Sequence, residues 1–96
     1  MSDEAYTLSL TPSARRVLVE GPPRGLPFAV AAAVTEFLTG PLLDNPHRVG
    51  KPLVRELEGY RSARRGAYRV VYRIDETERI IYVVRIDHRA DVYRTR

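Results

Sequence analysis

Between Gly59 and Arg73 the chain carries five arginines, Arg61, Arg64, Arg65, Arg69 and Arg73, and no aspartate or glutamate. Tyr60, Tyr68 and Tyr72 stand among them. Guanidinium groups without carboxylates to neutralise them make a concentrated positive field, and phenol rings beside them offer flat faces. Such a surface suits an anion that also carries flat rings, and RNA is the commonest cellular example. The chemistry these residue types can perform on a phosphodiester is narrow. Paired N–H donors of arginine stabilise the extra negative charge of a phosphorane. A phenol is a poor base at an ordinary pKa of about 10, and a better one where neighbouring cations favour its phenolate. Positioning must supply the rest, since holding the reacting atoms in line lowers a barrier by roughly 7–11 kcal/mol. A large external scaffold could impose that geometry.

The remaining composition narrows the field. The chain has 96 residues, enough for one domain (1–96) with one core. It contains no cysteine, so thiolate metal sites and disulfides are excluded. His47 and His88 alone cannot enclose a structural zinc. Asp3 and Glu4 stand where a secretory signal would be basic, and the apolar run from Leu26 to Val34 is broken by Pro27 and too short for a membrane span. A cytoplasmic protein without membrane association is the expectation. Charge is divided unevenly: residues 1–46 balance at −2 and residues 47–96 at +6. Of the sixteen cations, only Lys51 is lysine. Solubility alone does not ask for arginine, whereas gripping a phosphate or stacking on a base does; a codon bias toward arginine is the competing account.

Certain elements must position these side chains. Ala5 to Leu10 alternates as a half-buried strand, and Thr11-Pro12 reads as an N-cap followed by proline at the first helical position. That helix ends at Gly21-Pro22-Pro23. A second, alanine-rich helix runs from Phe28 to Leu38 with Val30, Val34, Phe37 and Leu38 on one stripe, and Gly40-Pro41 stops it. Beyond a possible half-turn at Leu42-Leu43, Asp44 to Leu53 has loop character. Leu53, Arg55 and Leu57 alternate as a short strand, followed by one over Tyr60 to Arg64. Gly66 marks a turn, and two strong strands, Ala67 to Ile74 and Arg79 to His88, flank a loop at Asp75–Glu78. Asp91 to Arg94 reads as a possible edge strand. The plan is α+β: an N-terminal strand, two helices, then an antiparallel β-meander with the helices packed on one face. With Tyr68, Val70, Tyr72 and Ile74 buried, Arg69 looks outward. Which row of the following strand lies beside it depends on register, which the sequence leaves open.

Several blocks then resemble a known family. Gly50-Lys51-Pro52-Leu53, Leu57-Glu58-Gly59, Ser62-Ala63-Arg64-Arg65-Gly66, Tyr68-Arg69-Val70-Val71-Tyr72, His88-Arg89 and Asp91-Val92-Tyr93 look like the RelE/ParE toxin superfamily, and within it the RelE-type mRNA interferases. The resemblance implies a RelE-like, microbial-RNase-like fold and a toxin of a type II toxin–antitoxin pair. It implies cleavage of mRNA in the ribosomal A site by attack of the RNA's own 2′-hydroxyl, without metal or cofactor. Carried over by position, Arg69 would stabilise charge on the cleaved phosphate, Arg89 would bind phosphate, and Tyr93 would stack on a base and act as general base. Arg61, Arg64, Arg65 and Lys51 would bind RNA. His88 joins them as an RNA-binding candidate, against the competing reading of a strand-end histidine bonded locally. The implied partners are the ribosome, mRNA and an acidic cognate antitoxin, RelB-like or of another family, with operator DNA reached only through that antitoxin. This chain departs from the family pattern at Ala63, where a second basic residue is expected, and at Asp87, where glycine is common.

Two other readings share these residues. One is a ParE-like toxin that poisons DNA gyrase without RNA chemistry, and the other a non-enzymatic RNA-binding module. Tyr6, Tyr72 and Tyr82 read as core or sheet residues, Tyr60 and Tyr68 as either core or platform, and His47 as a solvated loop histidine.

Overall fold

The computed structural model describes residues 5–88. Strand β1, Thr7–Leu10, leads into Thr11, whose hydroxyl accepts a hydrogen bond from the Ala14 amide at 3.3 Å. That cap, with proline in the first turn, starts helix α1, Pro12–Glu20, which stops at Gly21 with a φ of 72°. Helix α2, Phe28–Thr39, buries Val34, Phe37 and Leu38, with Val30 partly buried against the same core. These elements follow the sequence signals.

The stretch read as loop is more ordered than expected. The half-turn expected at Leu42-Leu43 is the single-turn helix α3 (Pro41–Asp44), and the loop stretch after it holds a second, α4 (Pro46–Val49), and a two-residue strand β2 (Lys51–Pro52). Each short helix opens on proline, whose missing N–H would have been unpaired there anyway. The strand expected over Leu53, Arg55 and Leu57 does not form. Arg55–Leu57 is instead a 3₁₀ turn, Arg55 has a φ of 64°, and the Leu53 amide closes the reversal by donating to the Tyr60 carbonyl at 2.9 Å. The apolar alternation there belongs to a bend that brings the chain back, which leaves Val54 and Leu57 exposed.

The three expected meander strands follow: β3 (Arg61–Arg65), β4 (Tyr68–Asp75) and β5 (Ile80–His88). The five strands lie in the order β1-β5-β4-β3-β2, all antiparallel except β1, which runs parallel to β5. A parallel neighbour needs a long crossover, and the helical segment supplies it.

Register along β4 and β5 carries an irregularity that no sequence pattern announces. Val71 pairs with Arg85 but Tyr72 pairs with Val83, so Val84 is an extra residue, a β-bulge. Because side chains alternate along a strand, one extra residue exchanges the rows. Ile86 and His88 therefore share the helix-covered face with Tyr68 and Val70, whereas beyond the bulge Val83 and Ile81 do so, beside Tyr72 and Ile74. Burial agrees: Ile86, Val83 and Ile81 all belong to the buried core, and so do Val70, Tyr72 and Ala63. Neither continuous row of β5 faces the helices along its whole length.

The core also locks down α4. The Tyr72 hydroxyl donates to the Pro46 carbonyl at 2.5 Å, and Arg61 Nη2 donates to the carbonyls of His47 and Gly50 at 2.8 and 3.0 Å. Gly50 has to be glycine here. A Cβ would collide with the Tyr72 hydroxyl and stand 3.0 Å from the Ser62 carbonyl oxygen. His47 is exposed, as its solvated reading expected, and its ring also contacts the Glu76 carboxylate in the β4–β5 loop. Glu76 also accepts from the Tyr6 hydroxyl at 2.9 Å, and these bonds hold its carboxyl below the usual glutamate range.

Candidate nucleic-acid interface

Helices α1 to α4 contribute Ala14, Val34, Phe37, Leu38, Leu42 and Pro46 to one side of the sheet. The other side is uncovered by any described helix, and register decides which arginines reach it. Residues directly opposed in a sheet share a face. Arg64 opposes Arg69, and Arg69 opposes Asp87. The next row on the same face is Lys51, Ser62, Val71 and Arg85, and beyond the bulge comes Arg73 opposite Tyr82. Five cations thus line one open face, against Asp87 and, at the far end of β4, Asp75.

Two features make this face unlike an ordinary solvated surface. Arg64 and Arg69 stand directly across from each other, their Cβ atoms about 5 Å apart, an arrangement that destabilises a sheet. Among the described residues neither has an ion-pair or hydrogen-bond partner; Asp87, the nearest carboxylate in register, is held by Arg85 Nε at 3.0 Å. The fold gains nothing from this pair, whereas an incoming anion would relieve it.

The remaining expected site residues divide. Arg61 opposes Tyr72 and points to the helix side, where its guanidinium is committed to carbonyls at the end of α4. Arg65 opposes Tyr68 and places its Cζ 4.8 Å from the Phe37 ring centroid. His88 also opposes Tyr68 and shares that side. The five-arginine run is therefore split, with Arg64, Arg69 and Arg73 on the open face and Arg61 and Arg65 on the other. Arg89 and Tyr93 lie outside the described residues, as does the possible edge strand Asp91 to Arg94. Arg73, named in the arginine run but given no role of its own, joins the open face, as do Arg85, which the sequence did not mark, and Tyr82, which read as a core or sheet residue. Arg73 lies in the row of Arg69, but the bulge hid which residues of β5 would stand beside it.

Burial raises the pKa of Tyr68 and Tyr72, with nearby arginines only partly opposing it. Tyr72 donates its hydroxyl to a carbonyl, and Tyr68 packs edge-on against Phe37 with centroids 6.3 Å apart. Both are structural phenols facing away from the open arginines, which settles Tyr68 as core. Among the described residues no group of three or more metal-ligating side chains is assembled, and no helix is long and apolar enough to cross a membrane.

The family model described as the ParE toxin of the type II toxin–antitoxin system parDE matches residues 9–93. The chain belongs to the RelE/ParE superfamily of toxins. It is 53% identical over 89 residues to toxin RelG of Mycobacterium tuberculosis (strain ATCC 25618 / H37Rv), covering 93% of this chain and 97% of that one. It is 48% identical over 92 residues to toxin RelE of the same organism, covering 96% and 90%. Among solved structures, the toxin–antitoxin complex RelBE2 from Mycobacterium tuberculosis matches with a TM-score of 0.77 and 50% identity, over 88% of this chain and 99% of that one. The archaeal RelE–RelB complex from Pyrococcus horikoshii OT3 matches with a TM-score of 0.64 at 21% identity, over 88% and 94% of the two chains, a likeness of fold alone. The toxin thus has the α+β RelE fold that the strand–helix–helix–meander plan predicted.

Proposed function

We propose that this toxin is an endoribonuclease that cuts mRNA in the ribosomal A site, with the open arginine face as its phosphate-binding surface. One observation carries the reading: Arg64 and Arg69 are opposed without a carboxylate between them, on the sheet face that no described helix covers. In this reading the 2′-hydroxyl oxygen attacks phosphorus and the bond from phosphorus to the 5′-oxygen breaks. The products are a 2′,3′-cyclic phosphate and a 5′-hydroxyl end. The 2′-hydroxyl proton goes to a base on the protein, and the leaving oxygen takes one back. Arg69 and Arg64 hold the phosphorane oxygens through paired N–H donors. Arg89 would add a further phosphate ligand, and Tyr93 would stack on a base and accept the first proton. Guanidinium groups fill the charge-stabilising role here, so activity is expected to survive chelation of divalent metals.

The ribosome supplies the in-line geometry that so few groups cannot impose. A cognate antitoxin, carrying carboxylates and an apolar segment, would silence the toxin by covering this basic face, and the two would meet in the cytoplasm. Both named relatives of about half identity are toxins called RelG and RelE, and the matched structure of 50% identity is a toxin–antitoxin complex.

The family model itself bears the ParE name, which keeps gyrase poisoning as the rival reading. Expression in cells with mapping of transcript 5′ ends separates the two. Cuts within translated reading frames, abolished by Arg69→Ala, support the interferase. Intact messages with accumulated gyrase–DNA breaks overturn it.

A further inference from the structure

Arg73 and Tyr82 lie directly opposite each other on β4 and β5, beyond the bulge and on the open face. Arg73 Cζ stands 4.4 Å from the Tyr82 ring centroid, which lays the guanidinium over the phenol. Neither residue belongs to the core cluster, and both are half-buried. Arg73 follows Arg69 by four residues on the same strand, hence on the same face and about 13 Å away. A dinucleotide can span that distance.

We propose that the Arg73–Tyr82 pair is a nucleobase-stacking subsite, which takes a base of single-stranded RNA whose neighbouring phosphate is held at Arg64 and Arg69. The inference rests on the nuclease reading of the same face and adds where along that face the substrate is gripped. A guanidinium resting on an aromatic ring has one flat side occupied and the other turned outward. Arginine planes and aromatic rings are the two surfaces on which unpaired RNA bases stack. The tyrosine beneath restricts the arginine's rotamers, so less freedom is lost when a base arrives. The charge fits as well: with Lys51, Arg64, Arg69 and Arg85 on the same face, the strip attracts a polyanion along its length. A protein partner would be drawn by that charge too, but would gain nothing particular from a stacked plane. The bland account is a cation–π contact that merely steadies the two strands.

Binding of the purified toxin to a fluorescent 2′-O-methyl RNA hexamer, which lacks the attacking hydroxyl, distinguishes these accounts. An abasic oligomer of equal length and charge serves as the control. Arg73→Lys keeps the charge and removes the plane; it is expected to weaken binding of the base-bearing oligomer about 10-fold and leave the abasic one nearly unchanged. Tyr82→Leu, which removes the support from beneath, is expected to do the same with an unaltered salt dependence. Equal affinities of wild type and both variants for the hexamer, or equal losses on both oligomers, overturn the subsite while leaving the nuclease reading intact. If wild-type toxin binds neither oligomer at any salt concentration, the nuclease reading falls and the subsite with it.

Discussion

Thr11 serves two elements with one hydroxyl: it accepts from the Ala14 amide to begin α1, and it donates to the carbonyl of Val84 at 3.4 Å, the extra residue of the β5 bulge. Its own amide donates to the Val83 carbonyl at 3.0 Å. A bulge frees backbone groups from the ladder, and here a helix cap meets them. The N-cap of α1 and the reversal of side-chain rows in β5 are therefore one structural unit.

Deleting Val84 should leave the toxin folded. Without the extra residue the β4–β5 ladder becomes continuous, and Ile81, Val83, Ile86 and His88 still alternate onto the helix side while Tyr82, Arg85 and Asp87 keep the open face. What is lost is the bond from the Thr11 hydroxyl to the bulge, together with the local twist, so the thermal transition should stay cooperative and move to lower temperature. Loss of a cooperative transition would show that the bulge does more than add one residue to the ladder. Thr11→Ala is the milder companion, costing about 1 kcal/mol in denaturant unfolding as a lost cap.

Arg69→Ala and Arg64→Ala should each cut mRNA cleavage on the ribosome about 10²–10³-fold, the usual cost of one donor to developing charge. Stability should change by less than about 0.5 kcal/mol, or rise slightly, because each substitution relieves a like-charge pair on an exposed surface. Parallel measurement of cleavage rate and urea midpoint tests both halves.

Arg61 should behave in the opposite way. Arg61→Ala removes the donor to the carbonyls of His47 and Gly50, at a cost of about 2–3 kcal/mol in urea unfolding. Gly50→Ala should cost about 1–3 kcal/mol by forcing the Tyr72 hydroxyl from its place under α4. A stability loss for Arg61→Ala no larger than that of Arg64→Ala would show that its role on the helix side has been misassigned.

Tyr68 and Tyr72 give stability an alkaline limit. Burial raises the pKa of both, so the native state keeps protons that the unfolded chain releases near pH 10. Their contribution is complete below that pH and disappears as pH rises through the higher folded-state values. Urea midpoints should therefore fall above about pH 10, and less steeply in Tyr72→Phe, which has one phenol fewer to ionise. At neutral pH that variant should already be about 1–3 kcal/mol less stable, since the Pro46 carbonyl loses its donor.

Much of the fold was legible because its signals are local. Thr11-Pro12, Gly21 and Gly66 each state a backbone requirement that no distant contact has to complete, and the stripe of α2 names its own buried side. The alternation of β4 likewise determined, without any partner, that Arg69 faces away from Tyr68, Val70 and Tyr72. Tertiary structure decided what alternation cannot carry: the parallel pairing of β1 with β5, the turn at Arg55 in place of a strand, and above all the bulge at Val84. Nothing in Ile80 to His88 marks where one residue will be skipped, because the reason lies in Thr11, which is distant in sequence and adjacent in space. That skip sets Arg85 and Tyr82 on the arginine face together, and the pairing of β3 with β4 withdraws Arg61 and Arg65 from it. Charge composition is written along the chain, but the face on which each charge acts depends on pairing between strands.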